Sequence, residues 1–271
     1  MNAMPSPYLT GLFDDFLADK HFQPLLETNR GCPFHCTFCT DGIDEKQLVT
    51  QFSMERVLAE INYIGHHSKM RPSTSMLILA DLNFGMIPRD RKICEALVET
   101  QDKFGFPKKV DCSTGKNAKD RIIEAIKILG SSTFMAMSVQ SMNQDVLSNI
   151  KRDNISSDHL VALGPTLKNE GLHTMSDVIL GLPGETYETH LQTIKDLVDA
   201  DIDWIDVWTL MLIDGSQLNT PQEKEKWGLK TKFRIIPRDF TKLTDGKVVV
   251  EIEEVGIGSD TLSFDEYVEF L

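Results

Sequence analysis

The stretch TMSDVILGLPGETYETHLQTIKDLVDA, residues 174–200, contains the pattern that decides the fold. Its first nine residues are one of six strand candidates in the chain, several of which are apolar nearly throughout, as strands buried on both faces are. Within this run Asp177 alternates in facing with its apolar neighbours. Gly181 near the end of this run, and Pro183 and Gly184 after it, can form a strand-to-helix turn. Residues 188–200 then carry apolar side chains three or four positions apart, as an amphipathic helix does. The stretch therefore predicts a strand, a turn and a helix in succession.

The same alternation recurs along most of the chain. Five further runs are strand candidates: PLLETN (24–29), MLILA (76–80), KVDCS (109–113), TFMAMSV (133–139) and WIDVWTLML (204–212). Four further runs have helical spacing of apolar residues: MERVLAEINYIG (54–65), RDRKICEALVET (89–100), AKDRIIEAIKILG (118–130) and DHLVALGPTLKNEG (158–171). Strict alternation predicts an α/β fold with parallel strands and right-handed crossovers, either an open doubly wound sheet or a barrel.

Composition limits the classes of partner. The chain has 271 residues, 41% of them apolar, and a net charge of −13. This charge repels a phosphate backbone, so we expect no nucleic acid partner. The sequence has neither an apolar run long enough to span a bilayer nor a signal pattern at its N-terminus, and we therefore predict a cytoplasmic protein without a membrane span.

Three regions are expected along the chain. Residues 1–22 read as a lead-in with a short helix, residues 23–213 as the alternating core, and residues 214–271 as an appendage packed on the last strand. The appendage breaks the alternation and contains the β-like run KVVVEIEEV. The chain ends on EYVEFL without a closing signal, which leaves open that it is part of a longer protein.

Three of the five cysteines lie within GCPFHCTFC, residues 31–39, directly after a predicted strand. A structural zinc ion needs four ligands; the chain offers no second cysteine pair, although His35 is an alternative fourth ligand. A 4Fe-4S cluster held by three cysteines leaves one iron open to a substrate or cofactor. The two remaining cysteines, Cys94 in a helical stripe and Cys112 at a strand end, are expected to be small buried side chains.

Cys32, Cys36 and Cys39 form C-x3-C-x2-C with Phe38 before the last cysteine, and this motif resembles the signature of the radical S-adenosylmethionine superfamily. The resemblance implies a partial (β/α)6 TIM-type barrel, with the cysteine loop after its first strand. It also implies that the open iron binds S-adenosylmethionine and that reductive cleavage yields methionine and a 5′-deoxyadenosyl radical. That radical would abstract hydrogen from an organic substrate, which the sequence does not identify.

The resemblance implies cofactor contacts at the ends of other strands. The segment ADLNFG (80–85) is similar to the one that receives the amino group of the cofactor in this family. Gln140 and Arg152, twelve residues apart, are similar to a pair that meets the ribose and the carboxylate, and an arginine fork suits a carboxylate. The full set of contacts expected on these segments is Ala80, Asp81, Asn83, Ser138, Gln140 and Arg152.

The last two strands are expected to hold the nucleoside. SDVILGLPGET resembles the G-x-I-x-G-x-P region of the family, with Asp177 in place of the first glycine. A carboxylate there can accept hydrogen bonds from both ribose hydroxyls. Gly181 and Pro183 would let the backbone approach the adenine, and Leu210 and Met211 would form its apolar floor.

Several alternatives stay open. The phrases PSPYLTGLFDDF, ETNRGCPF and GLPGET resemble radical enzymes that carry a cobalamin-binding domain, but the chain contains no D-x-H-x-x-G motif. It could therefore be the core of a cobalamin-dependent radical methyltransferase, or of a methylthiotransferase. A non-enzymatic iron-sulfur electron carrier and a zinc-binding protein are the other candidates. For an enzyme of the resembled family, a flavodoxin or ferredoxin is the expected electron donor.

Overall fold

The computed structural model describes residues 1–19, 21–68, 75–115, 119–152, 164, 167–169 and 171–271. Its strands are β1 (Leu25–Leu26), β2 (Asn29–Arg30), β3 (Thr50–Gln51), β4 (Met76–Phe84), β5 (Lys109–Thr114), β6 (Phe134–Ala136), β7 (His173–Leu180), β8 (Trp204–Thr209), β9 (Lys230–Lys242) and β10 (Val248–Gly258). Its helices are α1 (Asp14–Ala18), α2 (Met54–Ser68), α3 (Asp90–Phe104), α4 (Lys119–Leu129), α5 (Gln144–Asn149), α6 (Tyr187–Asp199), α7 (Pro221–Lys226) and α8 (Phe264–Glu269).

Six parallel strands form an incomplete barrel. They fall into two sheets, in the order β1-β4-β5 and β6-β7-β8. Between the two sheets, the hydroxyl of Thr114 at the end of β5 donates a hydrogen bond to the carbonyl of Ala136 in β6. Both β1 and β8 lie at an outer edge of this arc. The predicted α/β fold with a partial barrel of parallel strands is confirmed.

The strands differ from the prediction in how they are buried. Residues of β5 and β7 alternate between buried and more exposed positions, so only one face is fully buried. In β7 the buried face includes Val178 and Leu180, whereas Asp177 lies on the opposite face. The expectation of strands buried on both faces is therefore wrong for these two strands, whereas the expected alternation at Asp177 is observed. The second face lines the interior of the barrel, where polar groups stay accessible.

Several element bounds also differ. The run predicted as one strand over 24–29 is divided into β1 and β2, and the carboxylate of Asp81 accepts backbone N–H bonds from Thr28 and Asn29 at the break. The predicted strand over 133–139 is reduced to β6 and an isolated bridge at Gln140. The helix predicted over 158–171 lies largely outside the described residues.

The C-terminal region extends the inner face of the barrel. After β8, Met211 pairs antiparallel with Val255 of β10, and β10 pairs with β9 in a long hairpin. The register of this pairing places Leu210 opposite Gly256. Because paired residues point to the same side of a sheet, the hairpin face with Gly256 continues the barrel face with Leu210. Six apolar side chains on this face are 43–67% exposed: Phe233, Ile235, Phe240, Val248, Val250 and Ile252. The boundary near residue 213 between core and appendage stays a prediction.

Cys94 and Cys112 are buried within the apolar core next to β4 and β5, as expected. Burial raises the pKa of both thiols, that of Cys112 to about 12, so they stay neutral at physiological pH. Among the described residues, no helix is both long and apolar enough to cross a bilayer.

Candidate active site

The cysteine loop is held in shape by two glycines. Gly31 has a φ of +111°, and a Cβ at this position would lie 2.6 Å from the carbonyl oxygen of Leu48. A Cβ at Gly42 would lie 2.2 Å from the carbonyl oxygen of Cys36. Only glycine fits at such close backbone approaches. Sequence reasoning did not single out these two residues, although both directly flank the three cysteines.

Each cysteine sulfur accepts a hydrogen bond. Asn83 Nδ2 lies 3.3 Å from Cys32 Sγ, Arg152 Nη1 lies 4.0 Å from Cys36 Sγ, and the backbone N–H of Asp41 lies 3.4 Å from Cys39 Sγ. Three donors aimed at three sulfurs suit thiolates that carry negative charge as cluster ligands.

The donor set fits an iron-sulfur cluster. Among the described residues, no group of three or more His, Cys, Asp or Glu side chains converges on a position for a single metal ion. Thiolates that hold a cluster bind different iron atoms and need not converge in this way. Together with the hydrogen-bonded sulfurs and the glycine-lined loop, Cys32, Cys36 and Cys39 could hold a 4Fe-4S cluster.

Arg152 connects the cysteine loop to the barrel wall. It is 5% exposed and lies just after α5, and a second nitrogen of its guanidinium donates to the carbonyl of Ser138. Burial lowers the pKa of Arg152, while the charge of Cys36 acts in the opposite direction. A buried guanidinium of this kind offers a strong site for a carboxylate.

Asp177 accepts hydrogen bonds from both sides, from the segment after β6 and from β8. Its Oδ2 accepts from the hydroxyl of Ser138, and its Oδ1 accepts from Trp208 Nε1 at 2.8 Å. These contacts fix the carboxylate while leaving lone pairs for further donors. Trp208 was missed by the sequence analysis because the contact depends on the pairing of β7 with β8.

Gln140 adopts a strained backbone conformation at the same wall. Its φ is +65°, which is uncommon for a residue with a side chain, and it is 9% exposed. Its backbone N–H donates to Asp177 O at 2.8 Å, and its carbonyl accepts from Ile179 N at 2.9 Å. Strain held by surrounding bonds in this way is frequent at functional sites.

Two polar residues of the segment over 80–85 have different contacts. Asn83 reaches the cysteine loop, whereas the carboxylate of Asp81 points to the start of that loop and accepts from the side chain of Asn29 at 2.7 Å. Burial raises the pKa of Asp81, although its hydrogen bonds from Thr28 lower it. Ala80 lies on the accessible face of β4 and borders a cavity of about 500 Å³ together with Arg30 and Lys46.

The turn after β7 is fixed by a buried pair that the sequence analysis did not identify. Gly181, with a φ of +91°, donates its N–H to Glu185 Oε2 at 2.7 Å. Glu185 Oε1 lies 3.0 Å from His190 Nδ1, and both side chains are fully buried. The carbonyl of Pro183 accepts from Asn149 at 3.0 Å. An acid four residues after a strand-ending glycine is the signal that could have indicated this arrangement.

Leu210 lies beside this turn and closes the far side of the site. Its N–H donates to Leu180 O at 3.0 Å, and a Cβ at Gly181 would lie 3.9 Å from Leu210 Cβ. Leu210 is buried in an apolar cluster against which Phe38 of the cysteine loop packs. Met211 is half-buried and pairs with Val255.

Hydrogen bonds join several of the predicted residues into two groups. Hydrogen bonds lead from Cys36 through Arg152 and Ser138 to Asp177, and Cys32 is joined to Asn83. The side chain of Asp81 belongs to neither group, because it accepts from Thr28 and Asn29 at the start of the cysteine loop, and Ala80 borders the separate cavity with Arg30 and Lys46. Both groups lie at the ends of parallel strands, where barrel enzymes have their active sites.

The family model of the Radical SAM superfamily matches residues 26–197, and the chain belongs to this superfamily. It is accordingly an enzyme of the class that uses a 4Fe-4S cluster and S-adenosylmethionine.

Two curated relatives are considerably longer. The cobalamin-dependent radical SAM methyltransferase TokK of Streptomyces tokunonensis is 35% identical over 84% of this chain and 34% of its own length. The 2-(S-pantetheinyl)-carbapenam-3-carboxylate methyltransferase of Streptantibioticus cattleyicolor is 32% identical over 98% of this chain and 39% of its own length. The chain therefore spans less than two fifths of either relative.

A solved structure shares the fold. The radical S-adenosylmethionine methyltransferase TsrM from Kitasatospora setae, solved with tryptophan substrate and a cofactor analog, has a TM-score of 0.59 and 14% identity. The match covers 80% of this chain and 42% of that chain.

Proposed function

We propose that this chain is the radical core of a cobalamin-dependent enzyme that methylates a small organic molecule. The proposal that the chain binds S-adenosylmethionine is supported by the hydrogen-bonded connection from Cys36 through Arg152 and Ser138 to Asp177. This connection provides a cation for a carboxylate and an anion for ribose hydroxyls on one wall beside the cysteine loop. The assignment to methyl transfer is supported by the identity to the two methyltransferases over 84% and 98% of the chain.

Each residue has a role in this proposal. Cys32, Cys36 and Cys39 bind three irons of the cluster, Arg152 binds the cofactor carboxylate, and Asp177 binds the ribose hydroxyls. Gln140 contributes to the ribose site. The remaining contacts border the amino group or the adenine: Phe38, Ala80, Asp81 through its backbone, Asn83, Ser138, Gly181, Pro183, Leu210 and Met211. When bound, the cluster and S-adenosylmethionine supply one-electron cleavage of a carbon–sulfur bond and a radical that removes hydrogen from the substrate.

The corrinoid is assigned to polypeptide outside these 271 residues. The chain lacks the D-x-H-x-x-G motif, and more than three fifths of each curated relative lies outside the matched part.

The electron is proposed to come from a flavodoxin or a ferredoxin. A cavity of about 550 Å³ borders Cys36 and is also lined by Phe34, His35 and Lys151. This cavity offers an approach to the cluster from the outer side of the cysteine loop.

The test is cofactor cleavage by anaerobically reconstituted protein with a strong reductant. We expect slow formation of 5′-deoxyadenosine without substrate, and none from Cys36→Ala. Cys94→Ala is the matched control, because Cys94 is buried in the core away from the loop, and it should retain turnover. Equal turnover in Cys36→Ala would contradict the assignment. Reduced flavodoxin or ferredoxin in place of the chemical reductant tests the electron donor. Methyl transfer is tested with the polypeptide that binds the corrinoid present, as transfer of a labelled methyl group from S-adenosylmethionine to a metabolite of a cell extract; no labelled product would contradict it.

A further inference from the structure

The inner face of β8 presents two tryptophans to the interior of the barrel. Trp204, Asp206 and Trp208 pair in register with the residues of β7 that line the interior, and Asp177 is the partner of Asp206. Trp204 is 60% exposed and Trp208 is 50% exposed. Tryptophan side chains are highly buried on average, so two exposed indoles on the inner face of an enzyme barrel indicate a surface that a ligand covers.

Both indoles are fixed by carboxylates of the same face. Trp208 Nε1 donates to Asp177 Oδ1 at 2.8 Å, and Trp204 Nε1 donates to Asp206 Oδ1 at 2.9 Å. Because Asp177 and Asp206 are register partners, the two indoles approach this pair of carboxylates from opposite ends. Each N–H bond lies in the plane of its ring, which leaves the flat ring faces available for a ligand.

The chemistry of this face favours a positively charged ligand. An indole that donates to a carboxylate is polarised toward higher electron density on its ring, and this strengthens the attraction of a cation to the ring face. Among the described residues, Asp206 forms no ion pair with a lysine or arginine, and its Oδ2 has no hydrogen-bond donor. An ammonium group can donate to this oxygen while its charge lies against an indole.

On the basis of the proposed function, we infer that the inner face of β8, formed by Trp204, Asp206 and Trp208, binds the substrate and that the substrate carries a protonated amine. The ammonium group donates to Asp206 and is covered by the indole faces. Asp177, which holds the cofactor ribose in the proposed function, lies beside Asp206 in the register. The amine therefore binds next to the ribose that carries the radical carbon.

S-Adenosylmethionine is itself a cation, with an ammonium and a sulfonium group, and it is the second possible source of positive charge at this face. The two sources differ in how an amine and the cofactor affect each other. An amine that occupies a substrate site binds equally well when the cofactor is already present. An amine that occupies a cofactor contact competes with S-adenosylmethionine.

The experiment is anaerobic titration calorimetry of the reconstituted protein with 2-phenylethylamine, which is protonated at neutral pH, and with 2-phenylethanol as the uncharged probe of the same shape. We expect the amine to bind roughly five- to tenfold more tightly than the alcohol. Saturating S-adenosylmethionine should not weaken binding of the amine. Competition between the two would assign this face to the cofactor and overturn the substrate site.

Three variants make the result specific. Trp204→Leu and Asp206→Asn should each weaken amine binding about five- to tenfold, and Asp206→Asn should also reduce the preference for the amine over the alcohol. Trp227→Phe is the matched control, because Trp227 follows α7 and its indole donates to Glu223 at 2.8 Å. It should bind the amine as the unaltered protein does. Iron content and S-adenosylmethionine binding should be the same in all three.

Two failures are distinguishable. If the unaltered protein neither binds nor cleaves S-adenosylmethionine, the proposed function is wrong, and the substrate role of this face is wrong with it. If it does both, only the amine site is overturned by any of three results: no saturable binding of the amine, equal affinity for the amine and the alcohol, or unchanged amine affinity in Trp204→Leu and Asp206→Asn.

Discussion

Asp177 shows how one side chain is prepared for binding by its neighbours. Donors on both sides, the Ser138 hydroxyl and the Trp208 indole, hold its two oxygens. The carboxylate consequently has a fixed orientation before any ligand arrives, which lowers the entropy lost on binding. The alternation of facing along residues 174–182 predicted that Asp177 faces the interior, but the strand pairing that adds Trp208 could not be inferred from the sequence.

We expect Asp177→Ala to weaken S-adenosylmethionine binding roughly 10- to 100-fold, because hydrogen bonds to a charged group contribute about 1.5–3 kcal/mol. Equilibrium binding to reconstituted protein measures this change, and iron content should not differ. The matched control is Asp206→Ala, since Asp206 lies beside Asp177 on β8 and accepts from Trp204 at 2.9 Å. Equal affinities for Asp177→Ala and the unaltered protein would refute the ribose role.

At the scale of elements, the turn between β4 and α3 determines where Asn83 lies. Asp90 Oδ2 accepts the N–H of Gly85 at 2.8 Å and that of Ile87 at 3.1 Å. Burial raises the pKa of Asp90 to about 6, an effect that these two hydrogen bonds only partly oppose. The turn therefore contains a carboxyl group that the fold prefers in its protonated form.

This shift has a consequence for stability against pH. The pKa of Asp90 is 3.8 in the unfolded chain and about 6 in the folded protein. Between these two pH values the folded protein binds a proton at Asp90 and the unfolded chain does not. The contribution of Asp90 to the free energy of unfolding is therefore fully present below pH 3.8 and is lost as pH rises through 6. Asp90→Asn should remove this loss, which is at most about 3 kcal/mol. Urea unfolding at pH 5 and pH 7.5 measures the part that is lost between these two pH values, about 1.4 kcal/mol, with exposed Asp102→Asn as control; the same pH response in Asp90→Asn as in the unaltered protein would contradict it.

Sequence patterns predicted the elements better than the contacts between them. The spacing of Cys32, Cys36 and Cys39 and the strand–helix alternation depend on residues close in the chain, and both were informative. Other contacts depend on burial and on pairing between distant segments: the hydrogen bonds that Gly181 and His190 make to Glu185, and those that Asp81 accepts at the start of the cysteine loop. Local periodicity does not contain that information, so these roles became apparent only in the folded chain.

At the scale of the whole molecule, the inner face of the incomplete barrel lines the site, and the C-terminal hairpin extends this face. Gly256 of β10 accordingly lies next to Leu210 and close to Gly181. The region after residue 213 thus contributes to the wall of the site, although its standing as a separate domain stays a prediction. The chain spans less than two fifths of the length of either curated relative.

The central claim is that three thiolates hold a cluster whose open iron binds S-adenosylmethionine. The most direct measurement is the electron paramagnetic resonance spectrum of the reduced, reconstituted protein before and after addition of S-adenosylmethionine, together with iron and sulfide content. We predict about four irons and four sulfides per chain and a spectrum that changes when the cofactor is added. Absence of sulfide, or a cluster spectrum identical with and without the cofactor, would contradict it.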